Sequence, residues 1–170
     1  MKFLSGIEER EAIKRLTTTG ELAGQATCLR SKCASIIIGT NNVIIGRGYN
    51  SPPRELETQR RCLCEKTEYN TKVTDKTCCM HAEQRAIIDA LREAPSEIIR
   101  SRLYFVRLGA DGHIARSAAP YCTLCSKLAL DVGIGEFVLW HASGICVYDT
   151  EEYNVLSFNY RSQKRCATTA

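Results

Sequence analysis

Apolar runs separated by turn residues mark the strands of the chain. Two such runs over residues 34–49 flank Thr40-Asn41-Asn42, where asparagine tolerates a positive φ, and together they predict a β-hairpin. Apolar runs at 102–108 and 136–140 predict two further strands. A helix between these two strands would make them parallel, because a parallel pair needs a long crossover.

Helical spacing of apolar residues marks the segments between the strands. Residues 5–30 predict a helix that buries Ile7, Ile13 and Leu16, with a break at residues 17–20 because threonine and glycine disfavour helix. The same spacing is present in three later segments, which are 81–94, 122–133 and 149–158. The order of helices and strands predicts an α/β domain of two or three layers around a mixed sheet.

Length and composition favour a single soluble domain over residues 1–170, with a frayed tail at 161–170. Hydrophobic residues make up 44% of the chain and charged residues 25%, which is typical of globular proteins. The first residues turn acidic too soon for a signal peptide, and no apolar run has the ~20 residues that a membrane helix needs. We therefore expect a cytoplasmic protein with no membrane partner. A net charge of +4 suits a small anionic substrate and makes nucleic acid an unexpected partner.

Three side chains with the chemistry of zinc ligands begin the two central helices. His81 precedes one helix, and Cys122 and Cys125 lie three residues apart on the first turn of the other. Three protein ligands leave the fourth tetrahedral position open, which is typical of a catalytic zinc. Glu83 lies two residues after His81, where it can exchange protons with a zinc-activated water. A structural zinc and an incidental Cys-x-x-Cys are the alternative interpretations.

These motifs resemble those of the zinc-dependent cytidine and deoxycytidylate (dCMP) deaminase family. The resemblance rests on His81-Ala82-Glu83, on Cys122-Thr123-Leu124-Cys125 and on Gly48-Tyr49-Asn50. One departure is Tyr121, which separates Pro120 from the first cysteine. The resemblance implies a mixed sheet of about five strands flanked by helices in α-β-α layers. It also implies a homo-oligomer.

The activity implied by the resemblance is zinc-dependent hydrolysis of a cytosine nucleotide, from dCMP to dUMP with release of ammonia. Glu83 would be the catalytic residue, the Ala82 backbone would bind the amino group, and Asn50 would contact the sugar. Asn50 could instead form a local Asx turn. Other substrates of the same chemistry stay open, namely cytidine, guanine, tRNA adenosine and single-stranded DNA. A zinc-stapled binding domain without activity is the alternative from a different class.

Further substrate contacts are expected near the end of the last predicted strand. Ligands gather at the carboxyl ends of strands in α/β sheets, so Trp140 and His141 are candidates for the pocket wall. His141 could equally be an ordinary loop residue. The candidates for a phosphate contact are Arg30, Lys32, Arg47 and Arg54.

Residues 51–80 form a cysteine-rich insert without hydrophobic periodicity. A connection of this length carries too few apolar residues to offset the entropy of ordering it. A second, structural zinc could hold it, and some members of the resembling family carry one. Its candidate ligands are Cys28, Cys62, Cys64, Cys78 and Cys79. Reduced thiols or a disulfide are the alternatives.

Overall fold

Strands and helices alternate along residues 1–73, 75–116 and 118–160, which this computed structural model describes. The strands are β1 (Lys2–Phe3), β2 (Cys33–Ile38), β3 (Ile44–Tyr49), β4 (Arg102–Arg107), β5 (Glu136–His141) and β6 (Gly144–Asp149). The α-helices are α1 (Gly6–Ala23), α2 (Ala82–Glu93), α3 (Thr123–Asp131) and α4 (Thr150–Asn159).

The strands form one mixed sheet in the order β1-β6-β5-β4-β2-β3. β4 and β5 are parallel, as predicted, with Leu103 opposite Phe137, and the other neighbours are antiparallel. The hairpin is also confirmed, and Asn42 adopts a φ of 64° in its turn. The described part of the chain forms six strands, whereas the resemblance implies about five and the sequence patterns locate four. β6 and the two-residue β1 at the edge were not predicted.

Helices cover both faces of the sheet, which confirms the α-β-α layers. On one face α2, α3 and α4 pack against a buried cluster that includes Ile37, Ile87 and Phe137. On the other face α1 packs against a second cluster that includes Leu16 and Ile36. All six residues of β2 are buried because both of its faces are covered.

The predicted break in the first helix is wrong. α1 continues from Gly6 to Ala23, and Thr19 lies buried inside it with its hydroxyl donating to the Arg15 carbonyl at 2.7 Å. The predicted apolar stripe is also wrong, because Ile7 is 72% exposed and Ile13 is 37% exposed. Small residues and Leu16 face the sheet instead, and tertiary packing overrides the weak helix propensity of the threonines.

A close approach between β3 and α2 fixes the helix that begins at the candidate site. A Cβ at Gly48 would lie 2.3 Å from the Ala82 carbonyl oxygen and 2.4 Å from the Ala86 nitrogen. Only glycine permits this backbone contact. The contact locates the first turn of α2, and with it His81 and Glu83, against the sheet.

The insert at residues 51–80 contains three single-turn 3₁₀ helices in its described part. Its two ends meet at Ser51 and Met80, where the Met80 N–H donates to the Ser51 carbonyl at 2.9 Å. Arg30 donates to the carbonyls of Cys62 and Cys64, the latter at 2.7 Å, and Arg60 donates to the Thr27 carbonyl at 2.7 Å. Polar contacts to the loop before β2 therefore tie the insert to the domain.

No helix among the described residues is both long and apolar enough to cross a membrane. The predicted frayed tail at 161–170 lies outside the described residues.

We expect Gly48→Ala to lower the free energy of unfolding by about 2 kcal/mol, because the added methyl group meets backbone atoms that cannot rotate away. Gly24→Ala is the matched control, since Gly24 has a helical φ of −57° and should change stability by less than about 1 kcal/mol. Urea unfolding of both variants measures the difference. Equal effects of the two substitutions would contradict the close approach.

Candidate active site

The structure brings His81, Cys122 and Cys125 together at the beginnings of α2 and α3. His81 Nδ1 lies 3.2 Å from the sulfur of each cysteine, and the two sulfurs are 3.0 Å apart. His81 and Cys122 are the N-cap residues of their helices, and the Cys125 N–H donates to the Cys122 sulfur at 3.4 Å. The two helix N-termini therefore meet at one point, as the sequence predicts.

This donor set fits zinc. One imidazole nitrogen and two thiols are the ligand types that zinc prefers, and both cysteines are buried. Ligands of one tetrahedral zinc lie about 3.5–3.8 Å apart, so each donor atom needs to move outward by only a few tenths of an ångström. The group has three members among the described residues, which leaves the fourth position to a non-protein ligand.

Hydrogen bonding within the group favours the thiolate form of Cys122. The Cys125 thiol and His81 donate to the Cys122 sulfur and lower its pKa to about 4. A group that donates a hydrogen bond to the Cys122 thiolate holds its own proton more tightly. The pKa of Cys125 is therefore raised, and the pKa of His81 is raised to about 9. The thiolate is the form of cysteine that binds a metal ion.

Glu83 is a buried carboxylate beside this group. Its side chain is in the first turn of α2, and the residue is 4% exposed. Burial raises its pKa to about 7, and the nearby Cys122 thiolate adds to the shift. A hydrogen bond from its own backbone N–H to the carboxylate partly opposes this rise. From this position Glu83 lies within reach of any molecule that enters the open side of the His-Cys-Cys group.

A cavity of about 250 Å³ opens onto His81 and Glu83. Its inner wall includes Ala82, Asn50 and Phe105. The volume is close to the lower end of the ~300–1,000 Å³ that is usual for small-molecule sites. The cavity therefore suits a small molecule with one end near Glu83.

Asn50 lies in the cavity wall, with both ends of its amide bound to the backbone. Its Oδ1 accepts from the Cys33 N–H at 2.8 Å, and its Nδ2 donates to the Ser31 carbonyl at 2.9 Å. These partners are distant in sequence, so the alternative interpretation, a local Asx turn, does not account for the position of Asn50. The contact of Asn50 with a sugar stays a prediction. One Nδ2 hydrogen and one Oδ1 lone pair of Asn50 remain available to a ligand.

His141 and Trp140 lie away from the cavity. His141 Nε2 is 2.8 Å from the Tyr148 hydroxyl, and its ring contacts Phe3 edge-on at 6.2 Å. Arg116 lies over the Trp140 ring at 4.6 Å. Neither residue lines the described part of the cavity. In the sheet, β4 lies between β5 and the strands β2 and β3, which adjoin the insert.

The four cations that are candidates for a phosphate contact lie in different parts of the structure. Arg30 lines the cavity but binds the insert carbonyls, and Lys32 donates to the Gly24 carbonyl at 3.2 Å. Arg47 and Arg54 line a different cavity of about 460 Å³ beside the edge strand β3. Three other cations, all from the insert, line the cavity next to Glu83, and they are Arg61, Lys66 and Lys76.

Four of the five candidate ligands of the second zinc form a sulfur cluster on the cavity wall, which we call the insert cluster. Cys28, Cys62 and Cys79 are grouped closely enough to hold one metal ion, and Cys78 lies 3.1 Å from Cys62 and 3.6 Å from Cys79. Hydrogen bonds from the Leu29 backbone and Cys78 outweigh burial and lower the pKa of Cys62 to about 7. Cys64 lies apart from this group and hydrogen-bonds to Tyr69. The described cysteines form no disulfide.

Thr77 is a site residue that the sequence did not reveal. Its hydroxyl lies 3.4 Å from His81 Nε2 and donates to Asp75 Oδ1 at 2.6 Å. Because the Thr77 hydroxyl hydrogen is directed at Asp75, its oxygen can accept from His81 Nε2–H, which would hold the ring in place when a metal replaces the proton on Nδ1. The contact lies within an aperiodic segment, where only its position four residues before His81 could have drawn attention to Thr77.

Comparison with known proteins gives one family and several relatives. The family profile described as the cytidine and deoxycytidylate deaminase zinc-binding region matches residues 8–141. A deoxycytidylate deaminase of Schizosaccharomyces pombe is 27% identical over 124 residues, which are 71% of this chain and 34% of the relative. The chain thus spans about a third of the length of this curated relative.

Two solved structures resemble the fold. A dCMP deaminase from the cyanophage S-TIM5, in complex with dCMP and dUMP, gives a TM-score of 0.54 at 22% identity, covering 79% of this chain and 82% of that one. A cytidine deaminase from Burkholderia pseudomallei gives 0.55 at 14% identity, covering 83% and 94%. At these identities the likeness concerns the fold.

We expect Thr77→Val to weaken zinc binding at the His81 site by about 10-fold, because the imidazole loses the partner that fixes its orientation. Competition with a chromophoric chelator measures the affinity. Thr67→Val is the control, since Thr67 is exposed in the same insert and does not line the cavity. Unchanged affinity in Thr77→Val would show that Thr77 does not orient His81.

Proposed function

Because the chain belongs to the cytidine and deoxycytidylate deaminase zinc-binding family, we propose that it deaminates a cytosine nucleotide hydrolytically, converting dCMP to dUMP and ammonia. The observation that carries this proposal is the meeting of His81, Cys122 and Cys125 beside the buried Glu83 in one cavity. The choice of dCMP is supported by the names of the S. pombe relative and of the cyanophage structure.

His81, Cys122 and Cys125 would hold the zinc and leave one position open to the cavity. Zinc bound there would supply a water whose pKa is lowered toward about 7. Glu83 takes a proton from the attacking water and delivers it to N3 of the cytosine ring. A further transfer through Glu83 reaches the departing amino group, so cytosine and water become uracil and ammonia.

The position of Glu83 supports both proton transfers. It is the only carboxylate among the described residues that line the cavity, and it is shielded from bulk water. A single group can serve as base and then as acid only if it stays beside the reacting atoms through both steps. The Ala82 backbone would bind the amino group, which is supported by Ala82 lining the cavity at the same helix start.

A second, structural zinc in the insert is part of the proposal. Its ligands are Cys28, Cys62 and Cys79, with Cys78 as the fourth, and Cys64 is left out because it lies apart. The Cys62–Cys79 and Cys78–Cys79 sulfur distances of 3.6 Å are close to the ~3.8 Å expected for two thiolates on one zinc. This ion would stabilise a segment that has little apolar core of its own.

The homo-oligomer and the cytoplasmic location stay predictions. Val155 and Phe158 are 58% and 62% exposed on α4, and such apolar side chains support an interface between copies. The size of the protein in solution, measured by light scattering, distinguishes a monomer from an oligomer.

Ammonia release against a panel of substrates tests the proposed activity. The panel contains dCMP, CMP, deoxycytidine, cytidine, adenosine, guanine and a cytosine-containing single strand. Turnover of a cytosine nucleotide above all others is expected. Activity on another substrate alone would be consistent with the zinc chemistry but would refute a cytosine nucleotide as the substrate. A zinc-loaded protein without activity on any of them would favour the binding-domain alternative.

Glu83→Gln should lower kcat by at least about 10³-fold, because the amide cannot accept and return the proton. Zinc content and melting temperature should stay near those of the unaltered protein, since the amide has the same shape. Glu93→Gln is the matched control, because Glu93 is exposed at the other end of the same helix and does not line the cavity. Retained turnover in Glu83→Gln would refute the assigned role.

Metal analysis of the purified protein should give two zinc ions per chain, and Cys62→Ser should give one, because it removes a central sulfur of the insert cluster. Cys146→Ser, which changes an equally buried cysteine of β6, should keep both. One zinc in the unaltered protein would eliminate the second site.

A further inference from the structure

We infer that three cations of the insert, Arg61, Lys66 and Lys76, bind the 5′-phosphate of the substrate and make the site selective for nucleotides over nucleosides. The inference rests on the proposed deaminase function and adds the residues that select its substrate. We call these three residues the rim cations.

The rim cations line the same cavity as His81 and Glu83. Ala82 and Glu83, at the start of α2, are buried, whereas the rim cations are exposed or half-buried, so the rim cations lie on the solvent side of the cavity. A molecule with its base at Glu83 would therefore extend its remaining part toward the insert. A nucleotide has its phosphate at that end.

The charge of the lining favours an anionic ligand. Four cations line the cavity, the rim cations and Arg30, whereas Glu83 is the only carboxylate in the described lining. Even a four-thiolate zinc on the wall, with two negative charges, would leave the cationic groups in excess. Such an enclosed cationic lining raises the local concentration of anions.

The rim cations lack the ion pairs that engage their neighbours. Arg60, adjacent to Arg61, is paired with Glu57 at 2.5 Å. Among the described residues no carboxylate lies within ion-pair distance of Arg61, Lys66 or Lys76. Arg61 donates one hydrogen bond to the Gln59 carbonyl at 2.8 Å, so most of its guanidinium hydrogens are left for a ligand.

The segment that carries Arg61 is fixed at both sides. Arg60 binds the Thr27 carbonyl at 2.7 Å, and the carbonyl of Cys62 accepts from Arg30. The sulfur of Cys62 belongs to the insert cluster. Arg61 therefore projects from an anchored backbone, and a positioned cation loses less entropy on binding than one on a free loop.

The kinetic test compares dCMP with deoxycytidine, which differ only in the phosphate. Each of Arg61→Ala, Lys66→Ala and Lys76→Ala should lower kcat/KM for dCMP by about 10- to 100-fold, as expected for a lost charge-assisted bond. The kcat/KM for deoxycytidine should change by less than about two-fold. Lys72→Ala is the matched control, because Lys72 is an exposed insert cation that does not line the cavity.

A binding measurement keeps the inference separate from the proposed activity. Calorimetric titration of the zinc-loaded protein should show dUMP binding at least about 10-fold tighter than deoxyuridine, and the triple variant of the rim cations should lose this preference. Equal binding of dUMP and deoxyuridine to the unaltered protein would overturn the inference. Equal losses for both ligands in the variants would also overturn it, since they would indicate a structural role.

If deoxycytidine is turned over as well as dCMP, the phosphate-binding role of the rim cations is refuted, whereas the deaminase function is not. Absence of turnover together with tight, rim-dependent binding of dUMP would refute the function and support the phosphate site. A preference for the single strand that depends on the rim cations would contradict a site for a terminal phosphate.

Discussion

The contact of His81 Nδ1 with the sulfurs of Cys122 and Cys125 is the interaction on which the site depends. It joins two helices that reach the same point from different parts of the sheet. α2 is located by the close backbone approach at Gly48, and α3 lies in the crossover between the parallel strands β4 and β5. A helix N-terminus stabilises negative charge, and here two of them face one thiolate. The same geometry fixes Glu83, because it is in the first turn of α2.

The insert is the second constraint, and it acts at the cavity. Its described part contains no α-helix and no strand, so hydrophobic burial contributes little to its order. Arg30, Arg60 and the sulfur cluster hold it against the loop before β2. Since the insert also supplies Thr77 beside His81, its order and the geometry of the inner site are physically linked.

Much of the fold and of the inner site could be predicted from local sequence. The hairpin, the parallel strand pair and the starts of α2 and α3 each follow from short patterns whose physics is local. α1 could not be predicted correctly, because the burial of Thr19 and the contact of Gly20 with Ile114 depend on the sheet and on a distant loop. A general rule about strand ends makes His141 a candidate for the pocket wall, yet β4 lies between its strand and the strands that adjoin the insert. The rim cations and Thr77 lie in an aperiodic segment, where only three-dimensional structure reveals which residues face the cavity.

Anomalous diffraction at the zinc absorption edge would test the central claim most directly, since it locates the ions without assuming any activity. The account predicts a zinc peak bound by His81 Nδ1 and by the sulfurs of Cys122 and Cys125, with a water as the fourth ligand on the side of Glu83. A peak confined to the insert cluster, or a fourth protein ligand that closes the His81 site, would contradict a catalytic zinc.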